Sequence, residues 1–199
     1  CLFFILLFNS CKQNDARQKS EPVSQDQIDV VEEWIEPDTI IIDSNLSFNE
    51  AMDGSNAPQS VTDELELIEV TYTSIDGKLH QGQILTNKRI ASDLKELFRF
   101  MLEQDFVIEK AIPIVAYNWS DSLSMADNNS YSFCYRNITY SKHALGLAID
   151  INPRFNPLRW KKTNRPNEPI GAVLDTTVNG TLHPEHPVVK EFRKRGFRW

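Results

Sequence analysis

Residues 141 to 153, Ser-Lys-His-Ala-Leu-Gly-Leu-Ala-Ile-Asp-Ile-Asn-Pro, constrain this chain more than any other stretch, because they set a carboxylate in the middle of an apolar run. Leu147 to Ile151 has the length and branching of a short strand, whose side chains alternate between two faces. Leu147, Ile149 and Ile151 then face a core, and Ala148, Asp150 and Asn152 the opposite side. An unpaired carboxylate on such a strand costs several kcal/mol once desolvated, on the order of the penalty for a buried charge, so Asp150 demands a cation or donors. His143 precedes the strand, and Gly146 allows the tight path that returns it alongside. Two readings are open from spacing alone. One is a hydrogen-bonded loop histidine with a turn-capping aspartate. The other is a pair of zinc ligands, since imidazole nitrogen and carboxylate oxygen both suit that ion.

The 199 residues suffice for one ordinary domain. Their net charge of −7 is unevenly placed: residues 12 to 64 carry 13 acids and 3 bases, residues 65 to 199 carry 15 acids and 18 bases. With the acidity at the front and near-neutrality behind it, nothing points to nucleic acid.

Cys1 to Ser10 is a Leu- and Phe-rich run too short to span a bilayer. It predicts part of the apolar core of a secretory signal, without the initiator Met and basic start. Leu7-Phe8-Asn9-Ser10-Cys11 resembles a bacterial lipoprotein box, which makes Cys11 the expected site of lipidation and of attachment to a membrane. The expected location is then the cell envelope, facing the periplasm or exterior. Residues 11 to 64, rich in Gln, Asp, Glu, Ser, Asn and Pro, predict a disordered acidic linker. Cys134 is expected to be a buried, inert thiol.

From Leu65 the pattern becomes that of a folded domain. Strands are expected over 67–74 and 79–85, joined at Asp76-Gly77. A helix is expected from Asp93 to Glu103, capped by Ser92, with Leu94, Leu97, Phe98, Met101 and Leu102 on its core face. Ala111 to Tyr117 predicts a further strand, and Val188 to Arg195 a helix introduced by His186-Pro187. His80 is assigned to surface or packing. Between these elements, residues 118–140 form a polar loop in which Arg136 can grip a carboxylate or stabilise charge on a carbonyl oxygen; a plain surface arginine is the other reading. The fold class expected is α+β, a small antiparallel sheet with flanking helices and the site on its open face.

Ser141-x-His143-x-x-Gly146-x-Ala148-x-Asp150 resembles the signature of the VanY-like D-alanyl-D-alanine carboxypeptidases and L-alanyl-D-glutamate endopeptidases, zinc peptidases of bacterial cell walls. The likeness continues through Asp76-Gly77, Ser124 to Asn129, Phe133-x-x-Arg136, Asp150 to Pro153 and Asn156-Pro157, covering about residues 66 to 199. It implies Zn2+ as cofactor, His143 and Asp150 as its ligands, and Arg136 as a catalytic contact to substrate near the scissile carbonyl. Ser141, Asn128, Asn129 and Asn152 are expected to support the ligands or bind substrate. The substrate implied is a peptidoglycan stem peptide. A third ligand and the general base are expected from an Asp-x-x-His element after the segment that Phe192 to Trp199 resembles, beyond Trp199. His183 and His186, separated by Pro184, are expected to open the last helix and not to replace that ligand. A penicillin-binding type of serine chemistry is disfavoured: neither Ser-Asp-Asn nor Lys-Thr-Gly occurs. The alternative function is an inactive lipid-anchored protein that binds or scaffolds the cell wall on the same fold.

Overall fold

The hairpin expected around Asp76-Gly77 forms the centre of the computed structural model, which describes residues 39–136, 141–161 and 164–198. The expected signal, Cys11 and most of the linker lie outside the described residues. Strand β2 (Leu65–Thr73) pairs antiparallel with β3 (Leu79–Asn87) in a register running from Leu65↔Asn87 to Thr73↔Leu79. The turn is closed by the Ser74 amide donating to the Lys78 carbonyl at 2.9 Å, and the Asp76 side chain accepts from the Lys78 amide at 2.9 Å.

A third strand, β1 (Ile41–Ile42), lies parallel to β3 on its other edge, giving the order β1-β3-β2. The sheet is therefore mixed and not purely antiparallel. This corrects the linker boundary too, because residues 39–64 hold β1 and two short helices, α1 (Phe48–Ala51) and α2 (Gln59–Thr62). Main-chain pairing fixes β1 whatever the polarity around it, and side chains fasten it further. Asp43 accepts from the Tyr72 hydroxyl and meets His80 Nδ1 at 2.9 Å, while His80 Nε2 lies 3.2 Å from Asp76. His80 is thus a buried hinge between two carboxylates, beyond the surface or packing role expected of it. The amide of Gln83 adds bonds to Ser44 and to both backbone groups of Leu46.

Helix α3 (Lys88–Glu103) follows β3 without a loop. It starts five residues earlier than expected because Asn87, not Ser92, caps it: the Asn87 side chain accepts from the Arg89 amide at 3.0 Å. Its face of Ala91, Leu94, Leu97, Phe98 and Met101 packs on Ile68, Val70, Tyr72 and Ile84 of the hairpin. Full burial of one such Leu or Phe stabilises by about 1.5–3 kcal/mol. Helix α5 (Pro187–Lys194) closes the same core with Val188 and Val189, and Arg195 ties it to Asp93 of α3 at 3.2 Å.

The strand expected over 111–117 is absent. The Ala111 carbonyl accepts from the Gln83 amide at 2.8 Å, but Pro113 has no N–H to continue a ladder, and Ile114–Tyr117 coils into a 3-10 turn. That close approach depends on Gly82, where a Cβ would sit 2.1 Å from the Ala111 oxygen. Helix α4 (Asp121–Ala126) then begins at its cap Ser120. No described helix is long and apolar enough to cross a membrane.

Candidate functional site

Residues 147–151 form an extended run held by one bridge. Tyr131 and Asp150 exchange both backbone hydrogen bonds, at 3.1 and 3.0 Å. Leu147 to Ile151 makes this single antiparallel bridge and is not a strand, a correction to the expected element; only Ile151 of its apolar residues is fully core. His143 opens a 3-10 turn, His143–Leu145, which Gly146 ends in the left-handed region at φ 64°. A Cβ at Gly146 would also meet the Asn87 amide nitrogen at 2.8 Å, so the turn rests directly on the end of β3.

These constraints bring His143 Nε2 to 3.5 Å from Asp150 Oδ2. On the other side of the ring, Nδ1 lies 2.8 Å from the Ser132 carbonyl oxygen. A carbonyl can only accept, so Nδ1 carries the hydrogen and, in the neutral ring, Nε2 keeps its lone pair aimed toward Asp150. The Tyr131 ring packs on the imidazole with centroids 5.3 Å apart. The histidine side chain is 17% exposed and the aspartate 37%, so the pair is accessible from one side. Burial works against the imidazolium, but the hydrogen bond and charge of Asp150, with the Ser132 carbonyl, outweigh it and raise the His143 pKa; Arg136 opposes them.

This donor set fits a tetrahedral zinc ion. Two ligands about 2.05 Å from such an ion stand roughly 3.3 Å apart, close to the observed separation, and a backbone carbonyl behind the ligating histidine is the usual support. Two ligands do not complete a site. Among the described residues no group of three His, Cys, Asp or Glu side chains could hold a metal. Cys134 contributes nothing here: burial, with the charge of Asp121 adding, pushes its thiol up to about 11. Beside Asp150 opens a cavity of about 440 Å3, with Ile149, Val189 and Phe192 on its walls and Lys142, Arg193 and Arg198 among its cations.

Arg136 is not a free surface arginine. Its Nη1 lies 2.5 Å from Asp121 Oδ2, and Asp121 Oδ1 accepts from the Tyr131 hydroxyl. One carboxylate in the first turn of α4 therefore holds both the arginine and the tyrosine that backs His143. The Arg136 Nε is buried without a partner, although the side chain as a whole is 31% exposed. Asp121 and Tyr131 were not singled out in the sequence. The signal that could have found Asp121 is its place just after Ser120, an N-cap in a polar stretch leading to a lone arginine.

The expected supporting residues divide. Ser141 lies partly exposed two residues before His143. Asn128, Asn129 and Asn152 are buried, and their amides bond backbone groups of neighbouring loops and the side chains of Glu109 and Ser124. Asn152 joins the Glu109 amide to the Val107 and Gly180 carbonyls; Asn129 joins Ile112 and Ser124; Asn128 joins Glu109 and the Arg154 amide. They frame the loops around the bridge at Asp150. His186 caps α5 through Nδ1, 3.2 Å from the Val188 amide, and packs on Phe106.

A family profile described as D-alanyl-D-alanine carboxypeptidase matches residues 136–199, which include Arg136, His143 and Asp150. The match indicates a peptidase by similarity over this part of the chain. No curated protein and no solved structure matches.

Proposed function

We propose that the chain is a zinc-dependent peptidase acting on the stem peptides of bacterial peptidoglycan, as a D-alanyl-D-alanine carboxypeptidase or an L-alanyl-D-glutamate endopeptidase. The observation that carries this reading is the pairing of His143 Nε2 with Asp150 Oδ2 at 3.5 Å while Nδ1 is tied to the Ser132 carbonyl. His143 and Asp150 would hold the ion, and Ser132 would keep the imidazole in the ligating tautomer. Bound zinc supplies Lewis acidity and an acidified water. Arg136, anchored by Asp121, would grip an anionic or carbonyl oxygen of the substrate. The cations around the neighbouring cavity suit a peptide that carries carboxylates. The third ligand and the proton acceptor are not among the described residues.

The absence of a three-ligand group among the described residues supports a second reading, an envelope protein that binds or scaffolds the wall without hydrolysis. Attachment to a membrane through a lipid on Cys11 belongs to both readings and rests on the sequence box alone. The two are separated by expressing the chain together with whatever its gene encodes after Trp199 and measuring release of D-alanine and cleavage of stem peptides. Hydrolysis that depends on zinc and is lost in His143→Ala supports the peptidase. Wall binding without turnover supports the scaffold.

A further inference from the structure

Ten large apolar side chains are exposed among the described residues, and five of them, Leu158, Trp160, Ile170, Val173 and Val178, fall within residues 158–178. Leu158 and Glu168 exchange backbone hydrogen bonds at 2.9 and 3.1 Å, which pinches the chain between them, and Ile170, Val173 and Val178 follow the pinch. Arg159, Trp160, Lys161 and Arg165 lie between Leu158 and Glu168, all exposed. The Arg165 guanidinium carbon lies 4.9 Å from the Trp160 ring centroid, presenting indole and cation together. From Arg154 to Arg165 the sequence has five bases and no acid, in a chain whose net charge is −7. Neither Arg159 nor Lys161 pairs with a carboxylate among the described residues.

We infer that Leu158, Arg159, Trp160 and Lys161 form a docking surface for an anionic lipid bilayer. Cations alone would fit any polyanion, and an indole could also stack on a base, but the exposed aliphatic Leu158 beside them gains where an apolar layer underlies the anionic surface. Indole settles at that boundary, and Lys and Arg stems extend through it while their charges stay with the headgroups. Nucleic acid would meet the cations but offers an exposed aliphatic side chain such as Leu158 no apolar layer to enter. The inference rests on neither the metal site nor lipidation of Cys11.

The test is flotation of the full chain with vesicles of phosphatidylcholine containing about one-third phosphatidylglycerol, against phosphatidylcholine alone. The apolar Cys1 to Ser10 stretch is common to all variants, so differences between them read the loop. Each cation near an anionic surface contributes about fivefold in binding, so Arg159→Gln with Lys161→Gln should weaken binding to the anionic vesicles roughly 25-fold. Trp160→Ala should weaken it at least about fivefold at any salt concentration. Circular dichroism checks that the variants stay folded, as substitutions at exposed loop positions should allow. The inference is overturned if both variants bind like the parent, or if the parent prefers neither vesicle. It is also overturned if soluble polyphosphate displaces the vesicles and Trp160→Ala has no effect, which would mark a site for an anionic polymer.

Discussion

At the scale of single residues, the site depends on which atom of each side chain is already committed. His143 has Nδ1 committed to the Ser132 carbonyl and Nε2 facing Asp150. Asp150 raises the His143 pKa, so a proton competes for the nitrogen that would bind metal. Zinc affinity is therefore predicted to be high above that raised pKa and to fall as pH drops through it, measurable by zinc titration at stepped pH. In the metal-free protein the sign is opposite. The His143–Asp150 attraction stabilises the fold fully below the unfolded pKa of about 6.5 and is lost as pH rises through the folded value. Asp121 is tied to Arg136 and Tyr131, with no hydrogen bond to His143 or Asp150. Asp121→Asn keeps the shape but weakens the charged grip, and should lower hydrolytic kcat/KM by about 10- to 100-fold with zinc content unchanged. Loss of zinc in that variant would instead make Asp121 a support of the metal ligands.

At the scale of elements, the latch on β1 is the part least visible in sequence. His80 sits between Asp43 and Asp76, and its removal leaves Asp43, already a partner of Tyr72, short of a donor. His80→Ala is predicted to cost about 1–3 kcal/mol in a denaturant titration. Amide exchange should rise first at Ile41 and Ile42, which β1 places opposite His80 and Gln81. The hairpin and α3 were legible because their apolar residues repeat with periods of two and 3.6 over long windows. β1 was not, because two residues paired through main-chain bonds leave no periodicity, and their acidic surroundings read as linker. Helix α1 did leave a trace: Ser47 and Glu50 form a reciprocal capping box, the spacing that marks a helix start. The strand expected after Ala111 failed at Pro113, which has no N–H to continue the pairing.

At the scale of the whole molecule, the hairpin and the 141–153 segment are coupled by few but specific contacts. Gly146 rests on Asn87, the Asn87 backbone amide donates to the Gly146 carbonyl at 3.0 Å, and the Asn87 side-chain amide donates to the Leu145 carbonyl at 3.1 Å. That His143 and Asp150 lie side by side could be read from the sequence, in their spacing around the tight turn at Gly146, and the structure brings them to 3.5 Å. The fate of the asparagines could not, because an amide has the same donors and acceptors whether it meets a substrate or a neighbouring loop. In this chain Asn128, Asn129 and Asn152 meet loops, and their burial turns a polar run into framework. The central claim, that His143 and Asp150 form a metal-binding pair, is tested most directly by zinc X-ray absorption on the metal-loaded protein expressed with whatever its gene encodes after Trp199. The account predicts a shell of nitrogen and oxygen only, at about 2.0–2.2 Å, with an imidazole signature that diminishes in His143→Ala. A sulfur scatterer at about 2.3 Å, or a spectrum unchanged by His143→Ala, would contradict it.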